Sequence, residues 1–174
     1  MKKVLLVMAL FVATTMATFA QEGTFGLSVG VEGALPVGDW SDGFGVGIGG
    51  SLKGLYGVGN AGQVTLTTGY DRFGAKENDE DVDVSLSMIP ILAGYRHNFS
   101  SLYLEPQLGV SIVKTKADAG EFGDFSASST EFTWAIGGGY VVGPIDLGLR
   151  YQSISGDGGS TGFIALKVAY GFSL

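Results

Sequence analysis

One histidine, His97, and the absence of cysteine narrow the chemistry available to this chain. Ser100 and Ser101 follow His97 closely, and Glu105 stands on the next segment. Hydroxyl, imidazole and carboxylate are the parts of an activated nucleophile, and lipid hydrolysis is the reaction class they would suit. No oxyanion donors can be named for the trio, however, and a solvated turn histidine accounts for His97 without catalysis. Gly45-Val-Gly-Ile-Gly-Gly50 has the glycine spacing of a dinucleotide loop, which needs a strand before it, a helix after it and an acidic residue beyond. Here the alternation runs on through Ser51 and Lys53, so the glycines read as space-makers on the inner face of a narrow barrel. Asp79, Asp81 and Asp83 alternate as in the opening of a calcium loop. Val84 stands where that loop needs its sharp-turn glycine, and Pro90 where it needs the bidentate glutamate. A loose divalent-cation site or a solvated acidic loop is what remains. The sequence therefore assigns no catalytic residue, no cofactor and no metal centre.

A second set of polar residues is spaced for structure. Glu32, Lys53, Glu105, Glu131, Asp146, Arg150 and Lys167 occupy the alternate positions of segments whose other positions are apolar. That puts them on one face of their strands, which in a closed sheet is the interior. Glu32, Arg150 and Lys167 come at similar heights on neighbouring strands. Two cations side by side in a narrow lumen repel unless a carboxylate lies near them. The expected arrangement is a Lys167–Glu32 ion pair across the closing seam, with Arg150 reaching Glu32, Glu105 or Glu131.

The elements that must hold these charges are strands. The stretch 161–174 sets Ile164, Leu166, Val168, Tyr170, Phe172 and Leu174 against Ala165, Lys167, Ala169, Gly171 and Ser173, a strand with one greasy and one wet face. Seven further segments alternate in the same way, at about 25–35, 44–56, 63–71, 82–88, 102–112, 131–142 and 145–152. In the fourth, Val82, Val84, Leu86 and Met88 form the apolar face, and Pro90 is expected to mark a bulge where the phase becomes ambiguous. Connections alternate between short turns (57–62, 97–101 and 143–144) and longer polar loops (36–43, 72–81, 114–130 and 153–161). Aromatics gather at both ends: Phe25, Tyr56, Tyr140 and Phe172 beside the short turns, Phe44, Tyr70, Phe132 and Tyr151 beside the loops. Two such girdles, an even strand count and unequal connections describe an all-β, transmembrane, eight-stranded antiparallel up-and-down β-barrel. Both termini are then periplasmic and the long loops face outward. Trp40, Phe122 and Phe125 in those loops could present a recognition surface.

Composition supports export to an envelope. Residues 1–20 read as a secretory signal, with Lys2 and Lys3 before an apolar run and Thr18-Phe19-Ala20 as the cleavage site; residues 21–174 form the barrel domain. The formal charge of −7 becomes more negative once Lys2 and Lys3 are gone, which argues against nucleic acid as a partner. Without cysteine there is no lipidated anchor, and outside the signal no apolar run is long enough for a membrane helix. Membrane attachment rests on the barrel.

The runs Gly33-Ala-Leu-Pro-Val-Gly-Asp-Trp40, Ser87-Met-Ile-Pro-Ile-Leu-Ala-Gly-Tyr-Arg96 and Leu102-Tyr-Leu-Glu-Pro-Gln-Leu-Gly-Val110 resemble the outer membrane protein beta-barrel domain family, in its small OmpA/OmpX-type form. The resemblance covers the chain from residue 21 onward. It implies a Gram-negative outer-membrane location, the lipid bilayer as a partner, and the barrel assembly machinery engaging the C-terminal strand. It also implies a non-enzymatic role, structural or surface-interacting, with a small porin-like pore as the alternative and a lipid-modifying hydrolase behind it.

Overall fold

The computed structural model describes residues 23–38, 40–75, 83–118, 124–156 and 159–174. Eight strands close on themselves in sequence order: β1 Phe25–Val37, β2 Phe44–Val58, β3 Gly62–Ala75, β4 Asp83–Phe99, β5 Leu102–Asp118, β6 Asp124–Val142, β7 Ile145–Gly156 and β8 Gly159–Ser173. Each neighbour is antiparallel, and the seam between β1 and β8 is paired from Gly26↔Ser173 to Val37↔Gly162. Closure leaves no sheet edge along the seam, the condition for strands to cross lipid. Among the described residues no helix is long and apolar enough to cross a membrane.

Burial is inverted relative to a water-soluble protein. Val31, Ile48 and Leu108 are 67%, 73% and 64% exposed on the outer wall, while Glu105, Arg96 and Lys53 are 2%, 3% and 6% exposed inside. A continuous outward band of apolar side chains is stable only against an apolar solvent.

At one end, the turn end, the connections are tight. Gly59 and Gly143 take φ values of 68° and 57° there, which glycine adopts without a Cβ clash. At the other, the loop end, a single helical turn, α1 (Trp40–Gly43), joins β1 to β2. The strands reach further toward this end than the alternation indicates. β5 and β6 remain paired out to Asp118↔Asp124, so most of 114–130 is hairpin and not loop, and β7 and β8 likewise pair out to Gly156↔Gly159. The acidic stretch at Asp79 and Asp81, together with Val82, lies outside the described residues, as do Phe122 and the side chains of Asp83, Val84 and Phe125.

Four expectations are corrected. Pro90 marks no bulge: β4 keeps one register with β3 on both sides of it, Thr68↔Ile91 and Asp71↔Met88, and its pairing with β5 runs straight through. The register shift that does occur lies between Phe44 and Gly47. Leu86 and Met88 point inward and are buried; they join an apolar core inside the barrel that the alternation did not anticipate. Trp40 presents no outer surface, being 9% exposed within that same core. Phe44 packs on it at 5.6 Å between ring centroids and so leaves the outer girdle.

Candidate functional site

The lumen has two storeys. Toward the loop end it is apolar. Trp40 from α1 packs on Phe73 of β3 at 4.9 Å and on Phe163 of β8 at 6.2 Å, and the two phenylalanines meet at 5.4 Å. Ala34, Leu86, Met88, Ile154 and Ala165 complete this plug. Gly47 supplies its seat: a Cβ there would come within 2.5 Å of the Phe73 ring. Gly49, two residues on, clears the Asp71 carboxylate in the same way. The glycine motif is thus a floor for two inward side chains of β3, with β2 continuing through it and no helix following.

Toward the turn end the lumen is ionic, centred on Glu105 of β5. The Lys53 Nζ, reaching across from β2, donates to both carboxylate oxygens at 2.7 Å. Arg96 Nε donates to Oε2 at 3.1 Å, Thr65 Oγ1 to Oε1 at 2.8 Å and Gln107 Nε2 to Oε1 at 3.0 Å. Arg96 also donates to Asp146 of β7 at 3.0 Å and lies over the Tyr103 ring at 3.7 Å, while the Tyr103 hydroxyl donates to Asp146 at 2.7 Å. These bonds join β2, β3, β4, β5 and β7, so they span the lumen instead of lining it. A separate pair, Arg150 to Glu32 at 2.6 Å, lies between this cluster and the plug. The space between is about 20 Å³, bounded by Glu32, Lys53, Glu105, Arg150 and Lys167; one water needs about 10–15 Å³.

Of the charges singled out in the sequence, Glu32 and Arg150 meet, as do Lys53 and Glu105. Lys167 does not pair with Glu32. Although the two are opposite each other in the seam, Lys167 turns to Asp146 at 3.1 Å and Arg150 takes Glu32. Glu131 joins no ion pair among the described residues; its carboxylate lies beside Gly156. Two members were missed. Arg96 was hidden by the ambiguous phase around Pro90, and reading back from Tyr95 as an outward girdle residue would have turned it inward. Asp71, buried against the Glu32 carboxylate and near Arg150, receives no N–H or O–H donor among the described residues, and its burial depends on Gly49, a neighbour that no spacing rule identifies.

His97 is not in a turn. It belongs to β4, opposite Leu104, and sits between Tyr95 and Phe99, 4.6 Å from the Phe99 ring. Those neighbours face outward, whereas Glu105 faces the lumen, so the barrel wall separates the imidazole from the carboxylate and the hydrolase trio is not assembled. Among the described residues, no group of acidic or imidazole side chains could hold a metal ion.

A family model described as the outer membrane protein beta-barrel domain matches residues 4–172. No curated protein matches the chain. Among solved structures, Ail, the attachment invasion locus protein of Yersinia pestis, is similar with a TM-score of 0.67 and 22% identity, over 87% of this chain and 100% of that one. Neisserial surface protein A is similar with a TM-score of 0.58 and 19% identity, over 86% and 99%. The N-terminal barrel domain of Pseudomonas aeruginosa OprF gives 0.60 and 15%, over 84% and 97%. At these identities the likeness is one of fold.

Proposed function

This chain belongs to the outer membrane protein beta-barrel domain family, and from that premise we propose that it is a sealed, non-enzymatic barrel acting as a structural or surface-interaction protein through its loop end. Its place is the outer membrane, where the bilayer covers the apolar wall. In this reading residues 1–20 are a signal removed on export, both termini lie in the periplasm, and the C-terminal strand engages the assembly machinery. Protease added to intact cells should then cut at Lys76, between β3 and β4 in the sequence, whereas Lys114 and Lys116, expected in a loop, are paired in strand on both sides and should resist. Cleavage only after the outer membrane is permeabilised would invert the topology.

The observation that carries the sealed reading is the lumen-spanning set Lys53–Glu105–Arg96–Asp146, whose side chains are only 3–8% exposed. An ion crossing this level would have to separate buried, hydrogen-bonded charges, which costs several kcal/mol for each. The plug above adds a dry barrier. Purified folded protein in a planar bilayer should accordingly show no unitary conductance steps. Regular steps from the unmodified protein would favour the pore alternative.

A further inference from the structure

Glu32, Gly49 and Asp71 form one row across three strands. Glu32 of β1 is opposite Gly49 of β2, and Gly49 is opposite Asp71 of β3. Neighbouring strands lie about 4.8 Å apart, so the backbones of the two acids are about 10 Å apart with no side chain between them. The carboxylates close that gap over the glycine. Asp71 leans across it so far that a Cβ at Gly49 would collide with Oδ1, and its carboxylate comes to rest against that of Glu32. Both residues are buried, Asp71 at 1% exposure and Glu32 at 6%.

Asp71 itself is left without a donor. The Arg150 guanidinium on β7 gives its Nη2–H to Glu32 at 2.6 Å, and among the described residues no N–H or O–H reaches either Asp71 oxygen. The other lumen charges are engaged elsewhere. Lys53 of β2 and Arg96 of β4 hold Glu105 of β5, while Arg96 and Lys167 of β8 hold Asp146 of β7. Glu131 of β6 lies beside Gly156. On β4 the residue opposite Asp71 is Met88, and Gln152 of β7 gives its amide to that sulfur. The small cavity between the two storeys is bounded by Glu32 but not by Asp71. Two carboxylates in contact thus share one cation, Arg150.

Two ionised carboxylates in contact repel, and inside a protein one of such a pair keeps a proton. A carboxylic acid O–H is also a donor that the second carboxylate can accept. One proton removes the repulsion, supplies the hydrogen bond and leaves a single negative charge for Arg150. We infer that Glu32 and Asp71 share one proton when the barrel is folded at neutral pH, a buried proton-binding site that ties β1 to β3 over Gly49. The proton belongs to the pair and not to either residue alone. The site lies directly below the plug, for Asp71 is two residues from Phe73 on β3 and Glu32 two from Ala34 on β1. The stability of the barrel then responds to pH through this pair.

In the unfolded chain carboxyl groups have released their protons above about pH 4. Folding then takes one proton up, and the folding equilibrium constant falls about tenfold per pH unit until the folded pair loses it. The test is urea unfolding of the full-length protein in detergent micelles from about pH 5 to about pH 7, beside Asp71→Asn. The asparagine amide supplies a donor to Glu32 at every pH, and groups common to both proteins cancel in the ratio of their folding constants. That ratio, unmodified protein over variant, should fall about 100-fold across the range. A fall of less than about tenfold, a constant ratio or a rise overturns the proposal. Infrared spectroscopy at neutral pH reads the proton directly and needs no variant to fold. The unmodified protein should show a carboxylic acid C=O band that Asp71→Asn and Glu32→Gln lack. Without that band, stability that rises with sodium at fixed ionic strength would place a metal cation between the carboxylates. Without the band or the sodium dependence, the pair is ionised and hydrated. Either result overturns the proposal, as does a band that persists in both variants.

Discussion

Glu105→Ala should lower the unfolding free energy by about 3–5 kcal/mol, the cost expected when one partner of a buried ion pair is removed. The estimate follows from what the carboxylate holds. Lys53 and Arg96 both donate to it, with side chains 8% and 4% exposed, and Thr65 and Gln107 complete its shell. Without it Arg96 keeps Asp146, but Lys53 loses its ion pair in a space too small for full hydration. Unfolding in urea after refolding into detergent or phospholipid measures the loss. Adding Lys53→Met to Glu105→Ala should recover part of it, because the stranded cation then disappears; such non-additivity between contacting residues is about 0.5–3 kcal/mol. A loss under about 1 kcal/mol, the worth of a solvated pair, with additive behaviour in the double variant, would show the lumen to be wet and would reopen the pore reading.

Phe73→Ala should cost a comparable amount, about 3–5 kcal/mol, by leaving a cavity in the plug. Phe73 is wholly buried and is the ring that both Trp40 and Phe163 touch, so no solvent-facing collapse can refill the space. Gly47 beneath it offers no side chain to move in. The same urea titration reads the loss, and quenching of Trp40 fluorescence by a water-soluble quencher should increase as its buried face opens. Trp134 on the outer wall, 41% exposed, contributes a background, so the comparison is made with Trp134→Phe in both proteins. If the variant matches the parent in both stability and quenching, the aromatic cluster is not a packed plug.

The outer wall was legible because lipid imposes a rule on single residues. Each outward position must be apolar and each inward position need not be, so Leu104, Leu108, Val110 and their counterparts mark strand, face and span without knowledge of partners. Connection lengths then order the strands. That reading failed where the rule stops applying. Past the rim of the bilayer an apolar side chain no longer reports the lipid side, which is why Leu86 and Met88 turn inward and why Trp40, expected at a surface, fills the lumen. His97 illustrates the opposite error. Its polarity suggested a turn, yet a strand end in an aromatic girdle accommodates imidazole at the interface between Tyr95 and Phe99.

What the sequence determined by itself is therefore the architecture: eight alternating segments, the sidedness of all but the fourth relative to the lumen, and most of the charges confined inside, including the opposition of Glu32 and Lys167 at the seam. What only the tertiary structure decided is who pairs with whom. Lys167, level with Glu32 in the register, turns to Asp146, because long side chains in a narrow barrel reach across strands and are claimed by the best-placed partner, while the Arg150 guanidinium reaches Glu32 first. Strand register sets where a charge starts; the packing of the whole lumen sets where it ends.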